Sequence, residues 1–200
     1  MASALVLLDM QKGILKGPIK FEEPDLPDKA LAAARALLAA ARERKLLVVH
    51  VGVIRPHARG TFDALRTAGA RKSGKASRDV LALAAGTPDV EFLLDPAAGE
   101  EIVHKIGVSA FCGTRLDQLL RNAGVSEVVV GGAFTHMVVE STVRDGFDLG
   151  YRMVVAEDAC CAPAAAPHRN SLATGIPNFA LVVDSPTASQ RIRAGADVGA

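Results

Sequence analysis

Six short segments dominated by consecutive apolar residues punctuate the chain: Ala4–Leu8, Leu46–Val53, Glu101–His104, Glu127–Gly132, Arg152–Ala156 and Phe179–Val183. Short continuous apolar runs bounded by turn signals read as strands buried on both faces, rather than as strands with one wet face. Between them the spacing changes to that of helices. ALAAARALLAAAR predicts a helix capped by Asp28 and running to about Arg44, with high intrinsic propensity and an apolar stripe. Further helices are expected over Leu116–Asn122, from His136 to about Leu149, and over His168–Thr174. Thr135 is placed to cap the second of these and Gly150 to close it in a left-handed turn. Pro18 to Pro27 reads as loop, and the small, polar tail from Gln190 as frayed.

Strands alternating with helices imply a three-layer α/β/α fold with a six-stranded, mainly parallel sheet, here expected as a single domain over residues 1–200. In such a sheet the loops after the strands share one edge, where open α/β proteins bind ligands. Asp9, Lys105 and the turn Gly131-Gly132-Ala133-Phe134 therefore end on the same side. Asp9 follows LVLL directly, so apolar surroundings can fit its carboxyl for acid–base work near neutral pH. A carboxylate that satisfies backbone N–H groups of the next turn is the plainer alternative. Lys105 can hold Asp9 ionised or stabilise negative charge developing on a substrate. It can equally be a solvated lysine snorkelling past the sheet edge.

Composition narrows the classes. Lys+Arg of 23 against Asp+Glu of 22 gives a formal charge of +1, which argues against a nucleic-acid or anionic-membrane surface. No apolar run reaches the roughly 20 residues of a membrane span. Met1–Leu8 lacks the basic start of a signal peptide. Cys112, Cys160 and Cys161 are odd in number and include an adjacent pair, so reduced thiols and a cytoplasmic location are expected. The segment from Pro56 to Gly99 is long, basic and rich in Gly and Pro, with short helices predicted at Phe62–Ala68 and Ser77–Ala85. Its Leu65, Leu81, Leu83, Phe92 and Leu93 have no evident core of their own, so burial against a second subunit is expected.

Three stretches carry a family resemblance. LVLLDMQ, HKIGVSAFCGTRLDQLL, and GGAFTHMVVESTVRDGFDLGY followed by EDAC together resemble the isochorismatase-like hydrolase superfamily, which also holds nicotinamidases and related cysteine amidohydrolases. The resemblance covers nearly the whole chain. It implies a catalytic aspartate at Asp9 with a companion glutamine at Gln11, a catalytic lysine at Lys105, and a substrate-facing aromatic at Phe111. It also implies a non-proline cis bond between Ala133 and Phe134, a small-molecule substrate, and a homodimer or homotetramer.

One position departs from the pattern. Where most members read TDVCVEST this chain reads THMVVEST, which puts Val138 in place of the nucleophilic cysteine. An isopropyl group has no lone pair and forms no acyl-enzyme. Isochorismatases proper also lack that cysteine, and their aromatic-x-His turn resembles Phe134 and His136 here, although a small residue stands where this chain has Val138. Cys112 is expected as a small apolar filler, and Cys160 and Cys161 as buried, inert thiols. The family's Asp-x-His metal pattern is replaced by HVGVIRPH, with His50 expected in the core and His57 in a loop. No metal and no cofactor are expected, and Arg55 is either a surface arginine or a contact for an anionic substrate group. Two readings stand. The first is a cysteine-independent hydrolase of an enol ether or an amide or carbamoyl compound, with Asp9 and Lys105 acting and Gln11, Phe111, Phe134, His136 and Val138 lining the substrate. The second is a pseudoenzyme or small-molecule binding protein on the same scaffold.

Overall fold

The computed structural model describes residues 2–55 and 83–194. Six strands run as β1 (Ala2–Leu8), β2 (Leu47–Val53), β3 (Glu101–Lys105), β4 (Val125–Ala133), β5 (Arg152–Cys161) and β6 (Ala180–Val183). They form one sheet in the order β3-β2-β1-β4-β5-β6, and every pairing is parallel. The helices are α1 (Lys12–Leu15), α2 (Leu26–Glu43), α3 (Leu116–Asn122), α4 (Glu140–Asp148), α5 (Ala165–Asn170) and α6 (Ser185–Ala194). A π turn, Thr135–Val139, precedes α4, and a second, Ser171–Gly175, follows α5.

The period of two along the strands divides the core between the sheet's faces. Leu5, Leu7, Val129 and Val154 pack with Ala34, Leu37 and Leu38 of α2 and with Ala188 and Ile192 of α6. Ala4, Val6, Leu8, Val128 and Val130 pack on the other face with Leu116 and Leu120 of α3 and Val139 and Val143 of α4. The central strands β1, β2 and β4 are mostly apolar because both faces are covered.

The chain builds outward from β1 to β2 and β3, then crosses to β4 on the other side. The order reverses between β1 and β4, so the crevice at the carboxyl edge opens there. Gly132 lets the two strands meet at that point, since a Cβ on it would lie 2.3 Å from the carbonyl oxygen of Leu8.

Several boundaries differ from the sequence expectations for physical reasons. α2 starts at Leu26 and takes Pro27 into its first turn, where a missing N–H costs nothing. β5 continues to Cys161 because the register skips after Val130, and Gly132 and Ala133 then pair with Cys160 and Cys161. The expected helix over His168–Thr174 begins instead at Ala165 and gives way to the π turn at Ser171. Gln190 to Ala194 belong to α6 rather than to a frayed tail, held by Ile192 against the core.

The expected helix over Phe62–Ala68, along with Leu65 and Leu81, lies outside the described residues, as does most of Ser77–Ala85. Its last residues are not helical: Leu83 accepts from Arg55 N–H at 2.8 Å, and Ala84 bridges to Arg55. Leu83, Phe92 and Leu93 each find partners within this chain. Leu83 is fully buried in this chain's own core, Leu93 packs against that core, and Phe92 meets His50 edge-on with ring centroids 5.6 Å apart.

Candidate active site

Asp9 is the first residue after β1, and its backbone N–H still donates to Val51 O at 2.8 Å. Its φ of 55° turns the chain sharply out of the sheet. Lys105, the last residue of β3, reaches across the end of β2, two strand spacings of about 4.8 Å each. Its Nζ lies 2.9 Å from Asp9 Oδ2 and 3.2 Å from Gly107 O. Both side chains are almost wholly buried, at 3% and 1% exposure. Lys105 is therefore a buried partner of Asp9, and the solvated alternative is excluded.

Gln11 braces this edge. Its Oε1 accepts from Val53 N–H at 2.9 Å, and its Nε2 donates to Val53 O at 3.2 Å and Val90 O at 3.0 Å. Both amide hydrogens are committed, so the amide ties β2 to the segment that returns at Val90. Phe111 also departs from the expected substrate contact. It stacks on Tyr151 with centroids 5.8 Å apart, and its ring lies 3.1 Å from where a Cβ on Gly146 would sit. That is two helical turns beyond Val138, in the core.

The turn after β4 is built differently from the expected cis bond. Every peptide bond among the described residues is trans, and Phe134 makes the turn with a left-handed φ of 60° and ψ of 57°. Its carbonyl accepts from both Met137 N–H at 2.9 Å and Val138 N–H at 2.7 Å. Phe134 is half-buried and packs against both cores, straddling the sheet's edge. Among the described residues only Asp9, Lys45 and Phe134 combine a side chain with positive φ. Lys45 has a local reason: it closes α2, with Leu46 N–H bonded to Ala41 O at 3.0 Å and its own to Arg42 O at 3.1 Å. Asp9 and Phe134 have no such motif. They terminate the two strands that flank the crevice, where strain of this kind is associated with sites.

Thr135 does not cap the helix. Its Oγ1 turns instead to His168 Nδ1 of α5, 2.8 Å away and buried. One turn on, Glu140 accepts from Ser171 Oγ at 2.6 Å and from Arg144 Nη2 at 2.7 Å. The two π turns are thus stitched together. Burial works against the Glu140 carboxylate, but the bonds from Ser171 and Arg144 prevail and hold its pKa below the ordinary value. His136 is half-buried, and its Nδ1 is enclosed with no hydrogen-bond partner among the described residues. Val138 is 6% exposed and packs in the same cluster as Leu8, Val130 and Ala110.

The three thiols are free. Burial pushes Cys160 and Cys161 up to about 12, which makes both inert near neutrality. Cys112 is exposed rather than the expected apolar filler. Arg55 is partly buried near the end of β2. Among the described residues no group of three or more His, Cys, Asp and Glu side chains is arranged to hold a metal ion, and His57 lies outside them.

The histidines give the fold a pH signature. His50 is buried, and its Nε2 lies 2.9 Å from Glu100 Oε2. Burial opposes ionisation of Glu100, yet Arg42, Ala97 N–H and His50 hold it at about 2, so the carboxylate accepts and His50 donates. His50 Nδ1 is left enclosed, with no acceptor among the described residues for the N–H that a second proton would create. Burial is the leading cause that lowers the pKa of His50, His136 and His168 below 6.5. The unfolded chain therefore binds more protons than the native one. Stability is fully present above pH ~6.5 and falls as the pH drops below it. The urea midpoint should decrease between pH 7.5 and 5.5, separately from the carboxylate limb at lower pH; a flat or rising midpoint would refute neutral native histidines.

Known proteins resemble this chain in sequence and fold. The isochorismatase domain model matches residues 3–187. The chain belongs to the isochorismatase family. It is 31% identical over 156 residues to streptothricin hydrolase of Streptomyces noursei, covering 78% of this chain and 48% of that protein. It is 44% identical over 79 residues to a ureidoacrylate amidohydrolase of Pantoea ananatis, covering 38% of this chain and 32% of that one. The matched regions thus span a third to a half of these curated relatives. Among solved structures, N-carbamoylsarcosine amidase from Thermoplasma acidophilum superposes with a TM-score of 0.72 at 27% identity, covering 92% of this chain and 97% of that one. No helix among the described residues is long and apolar enough to cross a membrane.

Proposed function

We propose that this protein hydrolyses an amide or carbamoyl bond of a small molecule without a covalent intermediate, using Asp9 and Lys105. The observation that carries the reading is the buried Asp9–Lys105 pair at 2.9 Å, at the end of the strand that borders the crevice. A buried ion pair is weak support for stability, so its presence at a ligand-binding edge points to chemistry. Val138, at the family's cysteine position, offers no nucleophile, so water must attack. Asp9 takes a proton from that water, and the hydroxide oxygen bonds to the carbonyl carbon. Lys105 donates a hydrogen bond to the developing oxyanion. The C–N bond then breaks as Asp9 returns the proton to the leaving nitrogen. Phe134, His136 and Val138 line the substrate, while Gln11 and Phe111 support the surrounding structure. Similarity to ureidoacrylate amidohydrolase, streptothricin hydrolase and N-carbamoylsarcosine amidase favours this bond class.

One observation favours a second reading. Val138 is packed in the apolar cluster, which suits a scaffold that binds a small molecule without turning it over. A panel of ureido, carbamoyl, amide and enol-ether compounds separates the two. Turnover of an amide or carbamoyl member should fall at least about 100-fold in Asp9→Asn. Turnover equal in the wild type and Asp9→Asn would exclude the proposed chemistry, and turnover of enol ethers alone would move the reading to the isochorismatase reaction.

A further inference from the structure

We infer that His168 is a positioning residue that, by holding the Thr135 hydroxyl, fixes the left-handed turn at Phe134 on which the site depends. The inference rests on the proposed hydrolysis and extends it to a residue 33 positions away in sequence. Phe134 sits in a backbone region that side chains rarely adopt, which is held only when surrounding contacts over-determine it. Beside its packing and the two backbone bonds to its carbonyl, side-chain hydrogen bonds that could hold it are few. Phe134, Met137, Val138 and Val139 have no side-chain hydrogen-bonding groups of use, and His136 Nδ1 has no partner among the described residues. The Thr135–His168 bond at 2.8 Å is the one side-chain hydrogen bond made by residues 134–139 among the described residues. Both partners are buried, at 0% and 7% exposure, so water does not compete for it.

The anchor is itself firm. His168 lies in α5, which leads directly into the second π turn, and Ser171 of that turn is fastened to Glu140 at 2.6 Å. Gly175 closes under the same carboxylate, where a Cβ would sit 2.7 Å from Glu140 Oε1. The two bonds bracket the first π turn at Thr135 and just beyond Val139. Inserted π turns are frequent at functional sites because they re-aim side chains. Here the re-aimed residues are His136 and Val138. Thr135–His168 fixes the end of the turn nearest Phe134, and Glu140–Ser171 fixes the other.

Thr135→Val and His168→Leu remove the bond at similar volume, while Thr135→Ser and His168→Asn keep a polar atom in reach. The removing variants should lower kcat per folded enzyme about 10–100-fold with little change in KM, because misplacement of a site by an ångström has that scale. The conserving variants should recover kcat to within about threefold of the wild type. Equal kcat in all four, or loss in step with the folded fraction alone, would overturn the inference. An inactive Asp9→Asn beside fully active His168→Leu would sink His168 and leave the hydrolysis reading standing. A readout independent of turnover is the alkylation rate of a thiol introduced by Val138→Cys in a Cys112→Ser background. That rate should change with His168→Leu and return with His168→Asn; indifference to both would also overturn the inference.

Discussion

Lys105→Met should destabilise the protein by about 3–5 kcal/mol, a Tm lower by roughly 6–20 °C, and should abolish turnover. The size follows from burial. With the ammonium gone, the Asp9 carboxylate, its side chain 3% exposed, loses the cation 2.9 Å away and remains buried. The double replacement Asp9→Leu with Lys105→Met removes both charges together and should regain at least about half of the loss while remaining inactive. That outcome separates the two roles of the pair: the fold tolerates its absence, and the chemistry does not. A single-variant loss below about 1 kcal/mol would mean that water reaches the pair and screens it.

The sheet was legible in sequence because its strands are apolar on both faces, and such runs are hard to mistake when glycines and prolines bound them. Ala4–Leu8 and Leu46–Val53 were placed to within a residue or two for that reason. The topology then fixed which edge carries Asp9 and Lys105, though not that the lysine crosses β2 to reach the aspartate. α6 was missed because only Ala188 and Ile192 mark its apolar stripe, in a segment otherwise small and polar. The extension of β5 depends on a register skip against β4, which no local pattern announces.

The turn after β4 shows the limit more sharply. Thr135 has the composition of a helix cap, and local propensity supports that role. The tertiary partner His168 takes the hydroxyl instead, and the extra residue of the π turn leaves the cap position to Phe134. Gln11 and Phe111 were expected at the substrate, as family resemblance placed them near it. Resemblance locates a residue along the chain but not the direction of its side chain. The amide of Gln11 is drawn to the open edge of Val53, and Phe111 to the face of Tyr151.

Val138→Cys, made in a Cys112→Ser background, tests whether the remaining site is that of a cysteine hydrolase lacking one atom. The swap removes little volume, so stability should change by no more than about 1 kcal/mol. Two effects then compete on the new thiol. Burial raises a thiol, and Cys160 and Cys161, at 0% exposure, show how far, at about 12. Against burial stand the start of the helical segment from Thr135 to Asp148 and the cation of Lys105 at the same sheet edge, each of which favours a thiolate. Val138 retains 6% exposure where the native pair has none, so solvent can contribute as well. The cation and the helix start should prevail, giving a thiol that iodoacetamide alkylates with a midpoint below the ordinary value of about 8.5. Lys105→Ala should raise that midpoint. Asp9→Asn should lower it, since a neighbouring carboxylate opposes a thiolate. A thiol as unreactive as Cys160, or one indifferent to both substitutions, would show that Val138 does not face the Asp9–Lys105 pair, and the hydrolytic site would have to be sought elsewhere along the carboxyl edge.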